Sequence, residues 1–82
     1  MLEMVLYTKA NCSLCVKARR VLEDVQQRHG FQLIEVDITT DEALYERYKN
    51  DIPVGMLGGE EVFRHRIDQT TLENVLSKKR NK

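Results

Sequence analysis

The chain has 82 residues, 41% hydrophobic and 32% charged, and its 13 lysines and arginines are balanced by 13 aspartates and glutamates, so the formal net charge is zero. That length suits one domain over 1–82 with a small core, and the balance of apolar and charged residues excludes a disordered chain. Zero net charge removes the overall basic excess of a nucleic-acid binder, and no stretch approaches the ~20 consecutive apolar residues of a membrane span.

The elements follow in chain order. Residues 3–8, EMVLYT, form a continuous apolar run suited to a buried strand. From Leu14 the spacing becomes helical: Leu14, Ala18, Val21, Leu22 and Val25 share one face, charged residues fill the other, and Gly30 stops the helix. FQLIEVDI, residues 31–38, predicts a second strand. Thr39 with Glu42 three residues later is a capping-box pattern that predicts a short helix through Leu44 and Tyr48, ending around Asn50. Residues 52–57 and 60–66 are strands joined by a two-residue turn at Gly58-Gly59. Asp68 caps a last helix bearing Leu72, Val75 and Leu76, and residues 78–82 are expected to be a frayed basic tail. The order β-α-β-α-β-β-α predicts an α/β fold: a right-handed parallel crossover extended by a hairpin into a four-stranded mixed sheet, with helices on both faces.

Cys12 and Cys15 are the only cysteines, separated by two residues. A disulfide between them closes a loop far shorter than the 15 residues for which ~3 kcal/mol of entropic stabilisation is expected, so stapling is a poor reason for the pair. As a metal site the pair supplies two ligands, and His29 and His65 stand alone without the paired spacing of a zinc module. Redox chemistry remains. The pair falls at the carboxyl end of the first strand and the first turn of the first helix, where open α/β sheets place their sites. Free amides and the positive helix end there favour the thiolate of Cys12 over its free pKa of ~8.5, which makes it the attacking thiol. Cys15, one turn further in and more buried, suits the resolving thiol.

Several residues carry two readings each. Lys9 either adds positive charge beside Cys12 or is a solvated loop lysine. Pro53 is either a trans proline that starts a strand or a cis proline that turns the backbone of Ile52 outward toward an extended substrate. Alternation places Arg64 and Arg66 on one strand face, as cations for an anionic partner or as charges that protect an edge, and His65 on the other as a partly buried structural histidine. His29 suits the carboxyl end of its helix.

Taken in order, Tyr7 through Cys15, then Glu35-Val36-Asp37-Ile38, then Ile52-Pro53-Val54, the chain resembles the glutaredoxins of the thioredoxin-like superfamily, and most of all small uncharacterised glutaredoxin-like proteins. The resemblance covers about Met4 to Leu76. It implies a thioredoxin-like fold and a cytoplasmic thiol–disulfide oxidoreductase, with Cys12 and Cys15 catalytic and Pro53 cis and facing the dithiol. Glutathione is the implied co-substrate, with no cofactor bound: Lys9 would meet its carboxylate, and Leu14, Ile52, Pro53 and Asp68 would contact the substrate. The implied partners are protein or small disulfides, with glutathione or a thioredoxin-type reductase as reductant, and the chain is expected to be a monomer without nucleic-acid or membrane partners. Ser13 and Leu14 depart from the usual proline and tyrosine of the motif, and Arg64 to Asp68 replace the family's glycine pair, so glutathione is expected to bind weakly. Asp68 has a second reading as a plain helix cap. A single-thiol iron-sulfur module and a non-catalytic interaction domain are the alternatives; Cys15 argues against the first.

Overall fold

The structure is a computed structural model that describes residues 2–80. Its elements are β1 (Glu3–Thr8), α1 (Ser13–His29), β2 (Gln32–Asp37), a 3-10 turn (Ile38–Thr40), α2 (Glu42–Tyr48), β3 (Val54–Leu57), β4 (Glu60–Arg64) and α3 (Gln69–Arg80). The strands lie in the order β2-β1-β3-β4, with β1 parallel to β2 and antiparallel to β3, and β3 antiparallel to β4. This is the β-α-β-α-β-β-α mixed sheet that the element order predicts, in the thioredoxin-like fold that the resemblance implies.

Alternation along the central strands divides the core between two faces. Met4 and Leu6 of β1 and Leu57 of β3 pack with Leu22 and Val25 of α1, Phe63 of β4, and Leu72 and Leu76 of α3. Full burial of side chains of this size stabilises by roughly 1.5–3 kcal/mol each, which is why a chain this short needs nearly every one. Tyr7, Val54 and Met56 belong to the second cluster, with Ile38, Tyr48, Ile52 and Cys15. There the rings of Tyr7 and Tyr48 stack at 4.6 Å between centroids and bring α2 onto the sheet. Phe31 and Ile38, predicted as strand ends, lie just outside β2 and enter one cluster each.

Carboxylates rather than threonine set the start of α2. Asp37 Oδ1 accepts both the N–H of Thr39 at 2.9 Å and its hydroxyl at 2.6 Å, which closes the 3-10 turn and takes Thr39 out of a capping role. Asp41 is the N-cap instead, its Oδ1 accepting from the amides of Ala43 and Leu44 at 2.8 and 3.2 Å. The capping-box pattern at Thr39 and Glu42 is therefore overturned: Asp37 takes the Thr39 amide that the Glu42 side chain would have accepted from, and engages the hydroxyl that would have capped the helix.

The hairpin turns where expected, with Gly58 and Gly59 at φ 58 and 85, the left-handed pair a two-residue turn requires. β4 stops at Arg64, two residues earlier than predicted. His65 takes φ 69, its N–H donates to the Pro53 carbonyl at 2.7 Å, and the Arg66 N–H turns back to the Arg64 carbonyl at 2.7 Å. The expected alternation of Arg64, His65 and Arg66 is lost, and His65 is exposed rather than partly buried. At the carboxyl end, residues 78–80 continue α3 and Lys79 Nζ reaches Glu60 Oε2 at 3.1 Å, so this part of the expected tail is ordered helix; residues 81 and 82 lie outside the described residues.

Two features of this packing are open to measurement. The ring of Phe63 lies directly over Gly55, where an added Cβ would overlap its edge. Gly55→Ala is expected to destabilise the fold by roughly 1–3 kcal/mol, seen as a lower urea midpoint at unchanged m. Glu73 ties α3 to α1 through Arg28 Nε at 3.1 Å and His29 Nε2 at 3.3 Å. Arg28, then His29 and Gln69, hold the Glu73 carboxyl below its ordinary 4.5 by hydrogen bonding to the charged form. A depressed folded pKa stabilises above the unfolded value and that contribution disappears as pH falls through the folded one. Glu73→Gln should therefore lower the urea midpoint at neutral pH, with the gap to the wild type closing as acid protonates the carboxylate.

Candidate active site

The site is built on the first turn of α1. Cys12 is the N-cap, extended at φ −110, ψ 105; its carbonyl accepts from the Val16 amide at 3.1 Å and its Sγ accepts from the Cys15 amide at 3.2 Å. The sulfur thus occupies the place usually taken by a serine or aspartate oxygen, against amides that lack intrahelical partners. Asn11, at φ 61, makes the bend that brings the chain into this pose, and asparagine is among the few side-chain-bearing residues that tolerate it. No acidic residue stands in the first turn, so the positive end of a 17-residue helix acts on the sulfur unopposed.

The two cysteines are joined in a disulfide, with Cα atoms 5.2 Å apart. Their environments differ. Cys15 is 3% exposed, packed among Ile38, Tyr48, Ile52 and Val54, whereas Cys12 is half-buried and opens onto a cleft of about 690 Å³. This cleft lies between the start of α1 and the carboxyl ends of β1 and β2, the register Thr8 to Asp37 setting its base. Lys9, Asn11, Arg19 and Glu35 line it, the last two 3.6 Å apart. Asp37 also faces it, its carboxyl held below the usual range by the side chain and then the amide of Thr39. Val16, 39% exposed, adds apolar surface beside the disulfide.

Lys9, Cys12 and Cys15 are therefore brought together. Ile52 joins them from below, in contact with the Cys15 cluster, and the Ile52–Pro53 bond is cis. The Ile52 N–H donates to the Tyr48 carbonyl at 3.2 Å and the Pro53 carbonyl accepts from His65, so both are already engaged within the protein. Leu14 faces away from the cleft into a separate groove with Lys17 and Arg66. Asp68 is remote from the cleft lining and caps α3: Oδ1 accepts from the amides of Thr70 and Thr71 at 3.0 and 3.3 Å, and Oδ2 from the Thr71 hydroxyl at 3.1 Å. Arg64 is neutralised locally, bonded to Glu61 at 2.6 Å through Nη2 and paired with Asp51. Hydrogen bonding to Glu61 raises the Arg64 pKa further and lowers that of Glu61.

Val16, Arg19, Glu35 and Asp37 are cleft residues that spacing alone did not bring forward. A signal existed for three of them: Arg19 is one turn beyond Cys15, and Glu35 and Asp37 alternate toward the end of a strand parallel to β1. None belongs to a residue type that cysteine chemistry demands.

Comparison with known proteins bears on this arrangement. Residues 3–77 match the family model described as Glutaredoxin-like domain (DUF836). Among curated proteins, the chain is 33% identical to the Glutaredoxin-like protein YDR286C homolog of Dictyostelium discoideum, over 80% of this chain and 67% of that one. Protein Ne2328 from Nitrosomonas europaea superposes with a TM-score of 0.80 at 22% identity, covering 90% of this chain and 89% of that one. Oxidised mitochondrial thioredoxin 3 from Saccharomyces cerevisiae superposes with a TM-score of 0.68 at 16% identity, covering 94% and 77%. At these identities the two structures speak to the fold alone.

Lys9 lines the same cleft as the Cys12 sulfur and is the cation nearest to it in sequence. In the reduced protein, Lys9→Gln is expected to raise the Cys12 thiol pKa toward the free value of ~8.5 without reaching it, because the helix amides stay in place. Titration of ultraviolet thiolate absorbance reads the shift; an unchanged curve assigns the thiolate to the helix alone.

Proposed function

Because the chain belongs to the glutaredoxin-like family, within the thioredoxin-like superfamily, we propose that it reduces disulfides through a mixed-disulfide intermediate, with Cys12 attacking and Cys15 resolving. It carries the CxxC disulfide in the glutaredoxin/thioredoxin-like fold that this chemistry uses. The observation that carries the assignment of roles is the N-cap: the Cys12 sulfur receives a helix amide and opens onto the cleft, while Cys15 is enclosed.

Cys12 releases its proton to solvent and its thiolate attacks one sulfur of a substrate disulfide; that S–S bond breaks, and the other substrate sulfur leaves as a thiolate and takes a proton from solvent. Cys15 loses its proton and attacks Cys12 Sγ, the mixed disulfide breaks, and the second substrate thiol departs. Two electrons and two protons have passed to the substrate, and the Cys12–Cys15 bond has formed. The family relationship supports glutathione as a co-substrate, with Lys9 meeting a carboxylate, Ile52 and Pro53 on the β3 side of the dithiol, and Leu14 reaching the substrate only from the neighbouring groove. Two features support weak binding. The Ile52 amide is engaged by Tyr48, which leaves its carbonyl for a substrate backbone, and bulky His65 and Arg66 stand where the family has glycine. Asp68 acts only indirectly, by fixing the start of α3.

Cys12→Ser is expected to bring reduction of a small mixed disulfide down to background, whereas Cys15→Ser retains the attack and accumulates a covalent adduct visible by mass spectrometry. Identical behaviour of the two variants would remove the division of roles. Isothermal titration with glutathione should give weak heats, and with glutathione or a thioredoxin-type reductase supplied in turn, the faster turnover identifies the reductant.

A further inference from the structure

The groove beside Leu14 has a charge pattern that the cystine cleft lacks. About 230 Å³ in volume, it runs between α1 and the turn from β4 to α3, and is lined by Leu14, Lys17, Val21, His65, Arg66 and Ile67. Leu14, Val21 and Ile67 are half-buried and apolar, while Lys17, His65 and Arg66 are exposed. Among the described residues no carboxylate lines it. Among the described residues neither Lys17 nor Arg66 enters an ion pair, whereas Arg64, two positions earlier, is saturated by Glu61 and Asp51.

The backbone is arranged to produce this difference. A left-handed conformation at a residue with a side chain persists only where its surroundings enforce it, and at His65 the enforcement is the hydrogen bond to the Pro53 carbonyl. The turn removes Arg66 from the strand alternation that would set it beside Arg64 and its carboxylates, and delivers it to the groove instead. Along α1 the groove extends from Leu14 to Val21, about 10 Å at the rise of an α-helix, which is more than one carboxylate needs.

We propose that this groove docks an acidic segment of a protein substrate, in which an apolar side chain between aspartates or glutamates lies close in sequence to the reactive cysteine. Leu14 links the two places, standing between Cys12 and Cys15 in the chain while lining the groove. The inference rests on the oxidoreductase reading for the chemistry at Cys12 and on the groove itself for its charge, and the two separate in the test.

Two synthetic peptides, each joined by a disulfide to the same small thiol, differ only in carrying Asp and Glu or Asn and Gln around a leucine near the cysteine. The reduced wild type is expected to favour the acidic peptide in kcat/KM by about tenfold at low ionic strength, with the ratio falling as salt is added. In Lys17→Gln/Arg66→Gln the ratio should collapse to about one. In parallel, the acidic peptide with Ser in place of Cys is titrated into isotope-labelled protein, and the amides of Leu14, Lys17, His65, Arg66 and Ile67 should shift. Reduction of both peptides at equal rates, or a preference that survives the double substitution, overturns the docking site. So do groove shifts produced by glutathione and not by the acidic peptide, which would assign the groove to a small anionic thiol. Groove shifts from the acidic peptide with reduction of neither disulfide would leave the docking site standing and defeat the oxidoreductase reading instead.

Discussion

A long helix leaves its first amides without partners, and in this protein the group that meets them is a sulfur. An oxygen-bearing cap in that place would stabilise the helix and do nothing else. Sulfur is a weak acceptor as a thiol and a much better one as a thiolate, so the same contact that starts α1 favours the ionised form of Cys12. Helix initiation and the preference for negative charge at this sulfur are therefore one interaction. Its strength depends on everything that holds α1 at this angle: the Ala18, Leu22 and Val25 face against β1, the Glu73 link to α3, and the absence of a carboxylate in the first turn.

The sheet places a second constraint on the site. β1 ends at the approach to Cys12, and its two neighbours supply different things there: β2 runs parallel and contributes Glu35 and Asp37 to the cleft, while the segment entering β3 brings Ile52 into the cluster around Cys15. One cysteine consequently sees water and charge, the other an apolar cluster. Desolvation disfavours charge at Cys15 while the helix amides favour it at Cys12, so the two sulfurs are made unlike by position alone.

Most of this was legible in the sequence because it rests on strong periodic signals and a rare residue pair. The apolar run of β1, the 3.6-residue spacing from Leu14 to Val25 and the Gly58-Gly59 turn each specify an element locally, and two cysteines at the first strand-to-helix junction mark the site. What could not be read are outcomes of competition between neighbours. Thr39 and Glu42 match a capping box, yet the winner depends on Asp37 being at the right end of β2 to take the Thr39 amide. The end of β4 depends on a partner twelve residues away, the Pro53 carbonyl, which no window around His65 contains. The frayed-tail expectation at residues 78–80 failed for the same reason, since Lys79 finds Glu60 only once the hairpin is folded.

The zero net charge conceals how unevenly charge is distributed around the dithiol. Arg64 and Arg66 look equivalent in the chain, but a single turn at His65 commits the first to Glu61 and Asp51 and frees the second. On the other side of α1, Lys9 and Arg19 share their cleft with Glu35 and Asp37, so that space is mixed in sign. The protein therefore presents two unlike surfaces to whatever is bonded to Cys12: a roomy cleft of both charges and a narrow basic groove with an apolar floor. His65 and Arg66, which the turn takes out of β4, line this groove, so the end of the strand and the charge of the groove are a single structural feature.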